Sequence, residues 1–236
     1  MFKKFKAFTL AEVLITLGII GVVAVLTMPS VIEKHQKQLT VSRLKKAYTT
    51  LSQMLERTKV DENPPLYFLD GNDMNENTSK QFFETYWLPY FNNPLVATVD
   101  RTFYSSVQAY SRLDGNPYTF NVRTQLDTAR MLFSTQDGML YLVDGFGGWI
   151  DDSYVLGKFK TSLDVYCDIN GKKPPNTFGK DIFIFVINYK QNIVRPRCGT
   201  STVTYINNDC KKDGAGMCCA AKIMQDGWQI KDDYPW

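Results

Sequence analysis

Residues 1–30 read MFKKFKAFTLAEVLITLGIIGVVAVLTMPS, and this stretch decides the architecture of the chain. Its head carries Lys3, Lys4 and Lys6 and no acid. The run from Phe8 to Met28 then holds one ionisable side chain, Glu12. At about 1.5 Å per residue that run is about 31 Å long as a helix, enough to cross the hydrocarbon core of a bilayer. A carboxylate at mid-bilayer costs roughly 2.5–3.5 kcal/mol, so an acid inside such a run reads as functional. One bland alternative is that Glu12, near the start of the run, snorkels to the interface. The order of features also matters. A secretory signal places its small-residue cleavage site after the apolar core, whereas here the small residue, Ala7, precedes it. A cut between Ala7 and Phe8 leaves the whole apolar segment on the mature chain, with Glu12 close to the new terminus.

Outward from this segment, helical periodicity resumes. Val31, His35, Leu39, Leu44, Ala47, Tyr48, Leu51, Met54 and Leu55 approximate one stripe at 3.6-residue spacing. A helix is expected to about Lys59, with an irregularity near Pro29 and a stop at Asp61-Glu62-Asn63-Pro64-Pro65. A short helix capped by Thr78 or Ser79 follows, with Phe82, Phe83, Tyr86, Trp87, Tyr90 and Phe91 as an aromatic face for core packing. The middle of the chain reads as β structure. Met131–Ser134 and Met139–Val143 flank the turn signal Gln136-Asp137-Gly138, and Tyr118–Arg123 is expected alongside. Leu163, Val165, Cys167 and Ile169 alternate as a half-buried strand, and Ile182–Ile187 is a continuous apolar run suited to a central strand. The tail is expected to be irregular through Cys198–Gly216, with a short helix from Cys218 to Gln225. The fold class is therefore α+β. A long amino-terminal helix packs on an antiparallel sheet, divided as leader 1–7, membrane helix 8–29, stem 30–59 and globular head 60–236.

The full chain carries a formal charge of +3 over 236 residues. Losing Lys3, Lys4 and Lys6 from 27 basic residues brings them level with the 24 acidic ones. A neutral mature chain argues against broad nucleic-acid binding, which needs a basic footprint. The 14% aromatic content supports a packed head rather than a disordered tail. The lysines of the leader place the amino terminus in the cytoplasm and the head outside, where disulfides are permitted. Five cysteines occur, Cys167, Cys198, Cys210, Cys218 and Cys219, so at least one stays free or pairs between chains. Cys167 is expected as a buried free thiol or as a partner of Cys198. Cys210 is expected to close a short loop with Cys219, with Cys218 as the rival partner. Zinc is disfavoured, because no CxxC pair exists and the single histidine, His35, sits far away on the stem. That histidine also removes a His-dependent triad from the head. No GxxxxGK[ST] and no GxGxxG is present, and no enzyme is expected.

The 168–181 stretch opens Asp168-x-Asn170-Gly171 and closes at Asp181. Asp-x-Asn-Gly resembles the start of a calcium loop, since Ca²⁺ takes carboxylate and amide oxygens. Asp168, Asn170 and Asp181 are the candidate ligands, with Asn176 a further amide oxygen. The closing glutamate of an EF-hand is absent, and a plain Asn-Gly turn is the competing reading.

The basic leader followed by FTLxEVLITLGIIGVVA resembles the amino terminus of type IV pilins and of the pseudopilins of type II secretion systems. Leader length, Phe8, Glu12, Gly21 and Pro29 carry the resemblance together. One departure is Ala7, where the family usually has Gly. DINGKKPPNTFGKDIF and DGWQIKDDYPW also look like segments of pseudopilin-like bacterial proteins. The resemblance implies cleavage between Ala7 and Phe8 by prepilin peptidase and N-methylation of Phe8. It implies pairing of Glu12 with a neighbouring subunit's α-amino group, and local unwinding between Gly21 and Pro29 in a filament. A plainer reading of Gly18 and Gly21 is close helix–helix contact. The implied role is a filament subunit, with other pilin or pseudopilin subunits, the peptidase and the inner-membrane assembly platform as partners. Its implied location is the bacterial inner membrane, then a filament in the periplasm or at the cell surface. Two alternatives stay open: a minor tip subunit whose head binds DNA, a surface or a secreted protein, and a membrane-anchored binding module that does not polymerise.

Overall fold

A computed structural model describes residues 9–61, 83–85, 87–91, 94, 97–98, 110–118, 130–144, 162–171, 173–188 and 191–236. The chain divides into two compact units, Met1–Leu39 and Thr40–Trp236. Helix α1 runs from Leu10 to Val60.

From Leu10 to Met28, α1 carries one charge, Glu12, and is otherwise apolar on every side. Leu10, Leu14, Leu17, Ile20, Val22 and Leu26 are all exposed. A helix that is hydrophobic all round belongs in a medium with no polar side. This part of α1 is long and apolar enough, by length and composition, to cross a membrane. Its few hydroxyls turn back onto the helix. Thr16 Oγ1 donates to the Val13 carbonyl, Thr27 Oγ1 to Val23 and Ser30 Oγ to Thr27, each at 2.9 Å. Every polar side-chain hydrogen they carry is thereby satisfied locally, as an apolar surround requires. The expected irregularity at Pro29 does not break the helix, which is continuous through it. Proline removes one backbone donor, and the turns on either side hold the helical path.

Among the described residues of the second unit, six strands form one antiparallel sheet in the order β1-β4-β5-β6-β7-β8. They are β1 (Ala97–Thr98), β4 (Arg130–Ser134), β5 (Leu140–Asp144), β6 (Ser162–Asp168), β7 (Ile182–Asn188) and β8 (Ile193–Pro196). A separate two-stranded ribbon pairs β2 (Tyr110–Ser111) with β3 (Pro117–Tyr118). Tyr118 therefore belongs to this ribbon and not beside the β4–β5 hairpin, whose neighbours are β1 and β6. The remainder of the expected 118–123 strand, the expected cap at Thr78 or Ser79, and Phe82 and Tyr86 lie outside the described residues.

Period-two alternation gives the sheet two apolar faces. Leu163, Val165 and Cys167 of β6 and Phe183, Phe185 and Ile187 of β7 share one buried cluster with Leu44, Ala47, Leu51, Met54 and Leu55 of α1. Tyr166, Ile182 and Ile184 point the other way and pack with Leu132, Leu142, Phe178 and Tyr110. The continuous apolar run of β7 follows, because both of its faces are covered. The stem stripe is shorter than its sequence period suggests. Burial begins near Leu44, while Val31, His35 and Leu39 are exposed. Periodicity reports a face, and only a partner surface of matching length buries it.

Aromatic rings close the first face. Phe133 on β4 lies 5.0 Å from Phe83, 4.7 Å from Phe91 and 5.1 Å from Tyr141, centroid to centroid. Phe83 and Phe91 flank the 3-10 turn Leu88–Tyr90; Phe83, Trp87 and Phe91 are buried and Tyr90 packs against them, so these four rings are core packing rather than binding surface.

The carboxy-terminal region is more regular than expected. Helix α2 (Val203–Asp209) occupies the stretch read as irregular, and α3 (Cys219–Gln225) follows. Thr202 caps α2 by accepting from the Tyr205 N–H. Two disulfides staple the region. Cys198 pairs with Cys218 and Cys210 with Cys219, while Cys167 is a buried free thiol. A Cys167–Cys198 bridge is not formed. Removing the Cys210–Cys219 bridge by a double change to serine is expected to cost about 2–3 kcal/mol, from the loop entropy it withholds from the unfolded chain. Urea midpoints of the oxidised full-length protein in detergent, wild type against variant, check this.

Candidate assembly segment and cation loop

At the start of α1, Thr9 stands at the N-cap and Glu12 at the third helical position. The Thr9 backbone N–H donates to Glu12 Oε2 at 2.8 Å, and the Thr9 hydroxyl reaches the same oxygen at 2.9 Å. In return the Glu12 N–H reaches Thr9 Oγ1 at 3.3 Å. This is a capping box, in which two orphan donors of a helix end are satisfied reciprocally. Glu12 therefore has a local structural role that its position in an apolar run did not reveal. Ala7 and Phe8 lie outside the described residues. Gly18 and Gly21 sit in open surroundings, where an added Cβ would meet nothing within 4 Å. Their surface is free for close approach by another helix.

The second feature is the connection between β6 and β7. Asp168 and Ile182 are paired across the ladder, and the Ile169 N–H donates to the Asp181 carbonyl at 2.9 Å. Gly171 turns the chain with φ +70°, and a Cβ there would lie 2.5 Å from the Gly138 carbonyl oxygen. Only glycine fits this close approach. The loop is tied to β2 as well. The Ser111 N–H donates to the Asn176 carbonyl and the Phe178 N–H to the Ser111 carbonyl, both at 2.9 Å. The hydroxyls of Ser111 and Thr177 meet at 2.7 Å.

Asp181 is the hub of this loop. Its Oδ2 accepts from the Asn176 N–H at 2.7 Å and from Asn170 Nδ2 at 3.1 Å, and its Oδ1 accepts from the Thr177 N–H at 2.6 Å. Asp168 Oδ1 accepts from the Asn170 N–H at 3.3 Å. Asp168, Asn176 and Asp181 are each only 3% exposed. Burial, reinforced by the nearby Asp181 carboxylate, pushes the Asp168 carboxyl up to about 8. Burial also raises Asp181, against the opposing pull of its Thr177, Asn176 and Asn170 donors.

Three oxygens of this loop are buried without a hydrogen-bond partner: Asp168 Oδ2, Asn170 Oδ1 and Asn176 Oδ1. Of the three residues expected from sequence to gather around a cation, Asp168 and Asn170 keep a free oxygen, while both oxygens of Asp181 are engaged. Asn176 replaces it as the third free oxygen. Among the described residues, no three His, Cys, Asp or Glu side chains gather as a metal set. Only a hard cation, which accepts amide as well as carboxylate oxygens, suits this donor chemistry.

Two further charge pairs among the described residues are structural. Buried Lys222 on α3 reaches Asp233 at 2.6 Å and Asn207 at 3.2 Å. Half-buried Arg197, just after β8, bonds Asp164 of β6 at 2.9 Å.

No curated protein and no solved structure matches the chain. Residues 2–28 match the prokaryotic N-terminal methylation motif. That match makes residues 2–28 a type IV pilin-like or pseudopilin-like prepilin segment, of the kind prepilin peptidase processes. Over residues 30–236, which take in the stem, the sheet, the loop and both disulfides, the chain belongs to a family of unknown function, DUF6613.

Proposed function

We propose that the chain is a subunit of an extracytoplasmic filament of the type IV pilus or type II secretion pseudopilus kind. In this reading the chain is made as a prepilin and stored in the inner membrane. The observation that carries the reading is the first unit itself. It combines a methylation-type amino terminus with a helix that, to Met28, is apolar on all sides but for one carboxylate in its first turn.

Such a helix is stable in two media, lipid and a bundle of like helices. Moving from one to the other changes little apolar exposure, so small-residue contacts and charge pairing decide the balance. Gly18 and Gly21 allow close approach, and Glu12 offers the charge. Cleavage before Phe8 creates an α-ammonium group near the level of a neighbour's Glu12. The two charges neutralise each other where each alone is costly. N-methylation keeps that ammonium positive. The head then forms the outer surface of the fibre. The role is structural, and the only chemistry is performed on the chain by the peptidase.

Processing is the direct test. Intact mass spectrometry of membrane-extracted protein is expected to give a chain starting at Phe8 and heavier by one methyl group. A mature chain that retains residues 1–7 in cells with an active prepilin peptidase rules the reading out. Copy number along purified fibres then separates a main subunit from one confined to the tip.

A further inference from the structure

We infer that the β6–β7 connection is a calcium site in which Asp168 Oδ2, Asn170 Oδ1 and Asn176 Oδ1 are ligands and Asp181 is the residue that positions them. The inference stands apart from the filament reading, because every group it uses belongs to the second unit.

Three observations converge. The first is the set of oxygens. A buried acceptor without a donor costs free energy, and a native loop rarely carries one unexplained. Here three fall within nine residues, Asp168 to Asn176, and all belong to side chains that hard cations prefer. The second is their arrangement. Asn170 Nδ2 and the Asn176 N–H both bond Asp181 Oδ2, so one carboxylate oxygen brings the two asparagines together. The amide of Asn170 is oriented by that bond, with nitrogen on Asp181 and oxygen left over. The Asn170 N–H in turn holds Asp168 Oδ1 and leaves Oδ2 over. At Asp168 and Asn170 the free oxygen is thus the unused half of a group whose other half is fixed, and at Asn176 the backbone N–H and carbonyl are held by Asp181 and Ser111. That is how residues behind a metal site orient the ligands in front.

The third observation is the weakness of the alternatives. A lone water accounts poorly for these oxygens, because the apolar walls beside Asp168 give it too few partners. The cavity beside Asp168 is about 10 Å³ and is lined mainly by Leu132, Leu142, Tyr166 and Ile182. A buried water needs two to four polar partners and about one probe sphere of space. Zinc or copper would want sulfur or imidazole, and the nearby thiol, Cys167, faces the opposite side of β6. Magnesium prefers a strict octahedron with retained waters, whereas calcium tolerates the irregular sets that loops supply. Asp168 and Asp181 are the two carboxylates of the site, and one divalent ion would match their charges once both are ionised. Backbone carbonyls and water would complete the coordination.

The site has a structural consequence. Asn176 and its neighbours also hold Ser111 of β2, so an ion there locks the small ribbon onto the second face of the sheet.

The test uses full-length protein in detergent, stripped with chelator and titrated with calcium chloride alone. Calcium at about 100-fold above Kd is expected to raise the head's Tm by roughly 5–10 °C, with a much smaller shift from magnesium. Terbium is expected to bind in its place and be displaced by calcium. Asp168→Asn removes the charge at constant size. Asn176→Gly removes the amide oxygen while suiting the φ of +50° at that position. Both variants are expected to lose terbium emission and the calcium shift while keeping the Tm of the chelated wild type to within a few degrees. Should Asp168→Asn fail to fold, Asn176→Gly alone decides. Unchanged Tm and no terbium binding at millimolar ion, for folded wild type, overturn the site. So does a full calcium shift in Asn176→Gly.

Discussion

Glu12→Gln is expected to insert into the membrane, fold its head and yet stay out of filaments. Glutamine at the third helical position completes a capping box as glutamate does, so the bonds to Thr9 survive. What disappears is the charge. If assembly rests on pairing with a neighbour's terminal ammonium, that ammonium is left uncompensated in apolar surroundings. Breaking a buried pair from one side costs about 3–5 kcal/mol, which is more than a hundredfold in incorporation. Glu12→Lys is expected to be worse still, since like charges then meet. The readout is the ratio of sheared-fibre protein to membrane-fraction protein. Wild-type fibre yield from the glutamine variant would reduce Glu12 to a helix cap. The capping geometry is what makes this comparison sharp, because Glu12→Ala removes cap and charge together and cannot separate them.

The second large effect is expected at Phe133. Its ring is fully buried and meets Phe83, Phe91 and Tyr141 within about 5 Å. Truncation of a buried Phe to Ala costs about 3–5 kcal/mol, through lost transfer energy and the cavity left behind. Phe133→Ala should sit in the upper part of that range. The same ring docks the 83–91 segment onto β4, and ring–ring terms of about 0.5–1.5 kcal/mol go with it. A conservative Phe133→Leu should recover most of the loss. Tyr205, exposed on α2, is the control, and its change to Ala should stay within about 0.5 kcal/mol. Urea midpoints of full-length protein in detergent measure all three. A loss under 1 kcal/mol for Phe133→Ala would mean that the aromatic cluster is not cooperative with the sheet.

Much of this fold is legible in residue order. The β4–β5 hairpin follows from the runs Met131–Ser134 and Met139–Val143 around the turn signal Gln136-Asp137-Gly138, and β6 from the period-two set Leu163, Val165 and Cys167. The helical run to Val60 ends one residue past the expected Lys59. What failed did so for physical reasons. Helix α2, VTYINND, is built of β-branched residues, Asn and Asp, which are weak helix formers. A disulfide at its carboxy-terminal cap and burial of Ile206 hold it, and the one local signal was Thr202 as a cap. Tyr118, expected beside the β4–β5 hairpin, pairs in a separate ribbon instead, because strand pairing is a property of the whole chain. In the loop, Asp168 and Asn170 were visible as a spacing. The engagement of Asp181 was not, since its donors are mainly backbone N–H groups at Asn176 and Thr177, whose direction depends on the turn. In the first unit, Glu12 was visible as an odd charge, but its bond to Thr9 depends on where the helix begins.

The two disulfides end on adjacent residues, Cys218 and Cys219. Neighbouring thiols at the start of α3 are nearly equivalent targets for Cys198 and Cys210 while the chain is still unfolded. Oxidation alone therefore yields crossed isomers as readily as the native pair, and a fifth thiol, Cys167, adds further wrong choices until β6 sequesters it. Sorting proceeds by thiolate attack on mixed disulfides, over seconds to hours without help. Biogenesis of this head thus depends on a compartment that shuffles disulfides as well as one that makes them. A host that supplies only an oxidant should accumulate mispaired, protease-sensitive chains, although every residue of the native core is present.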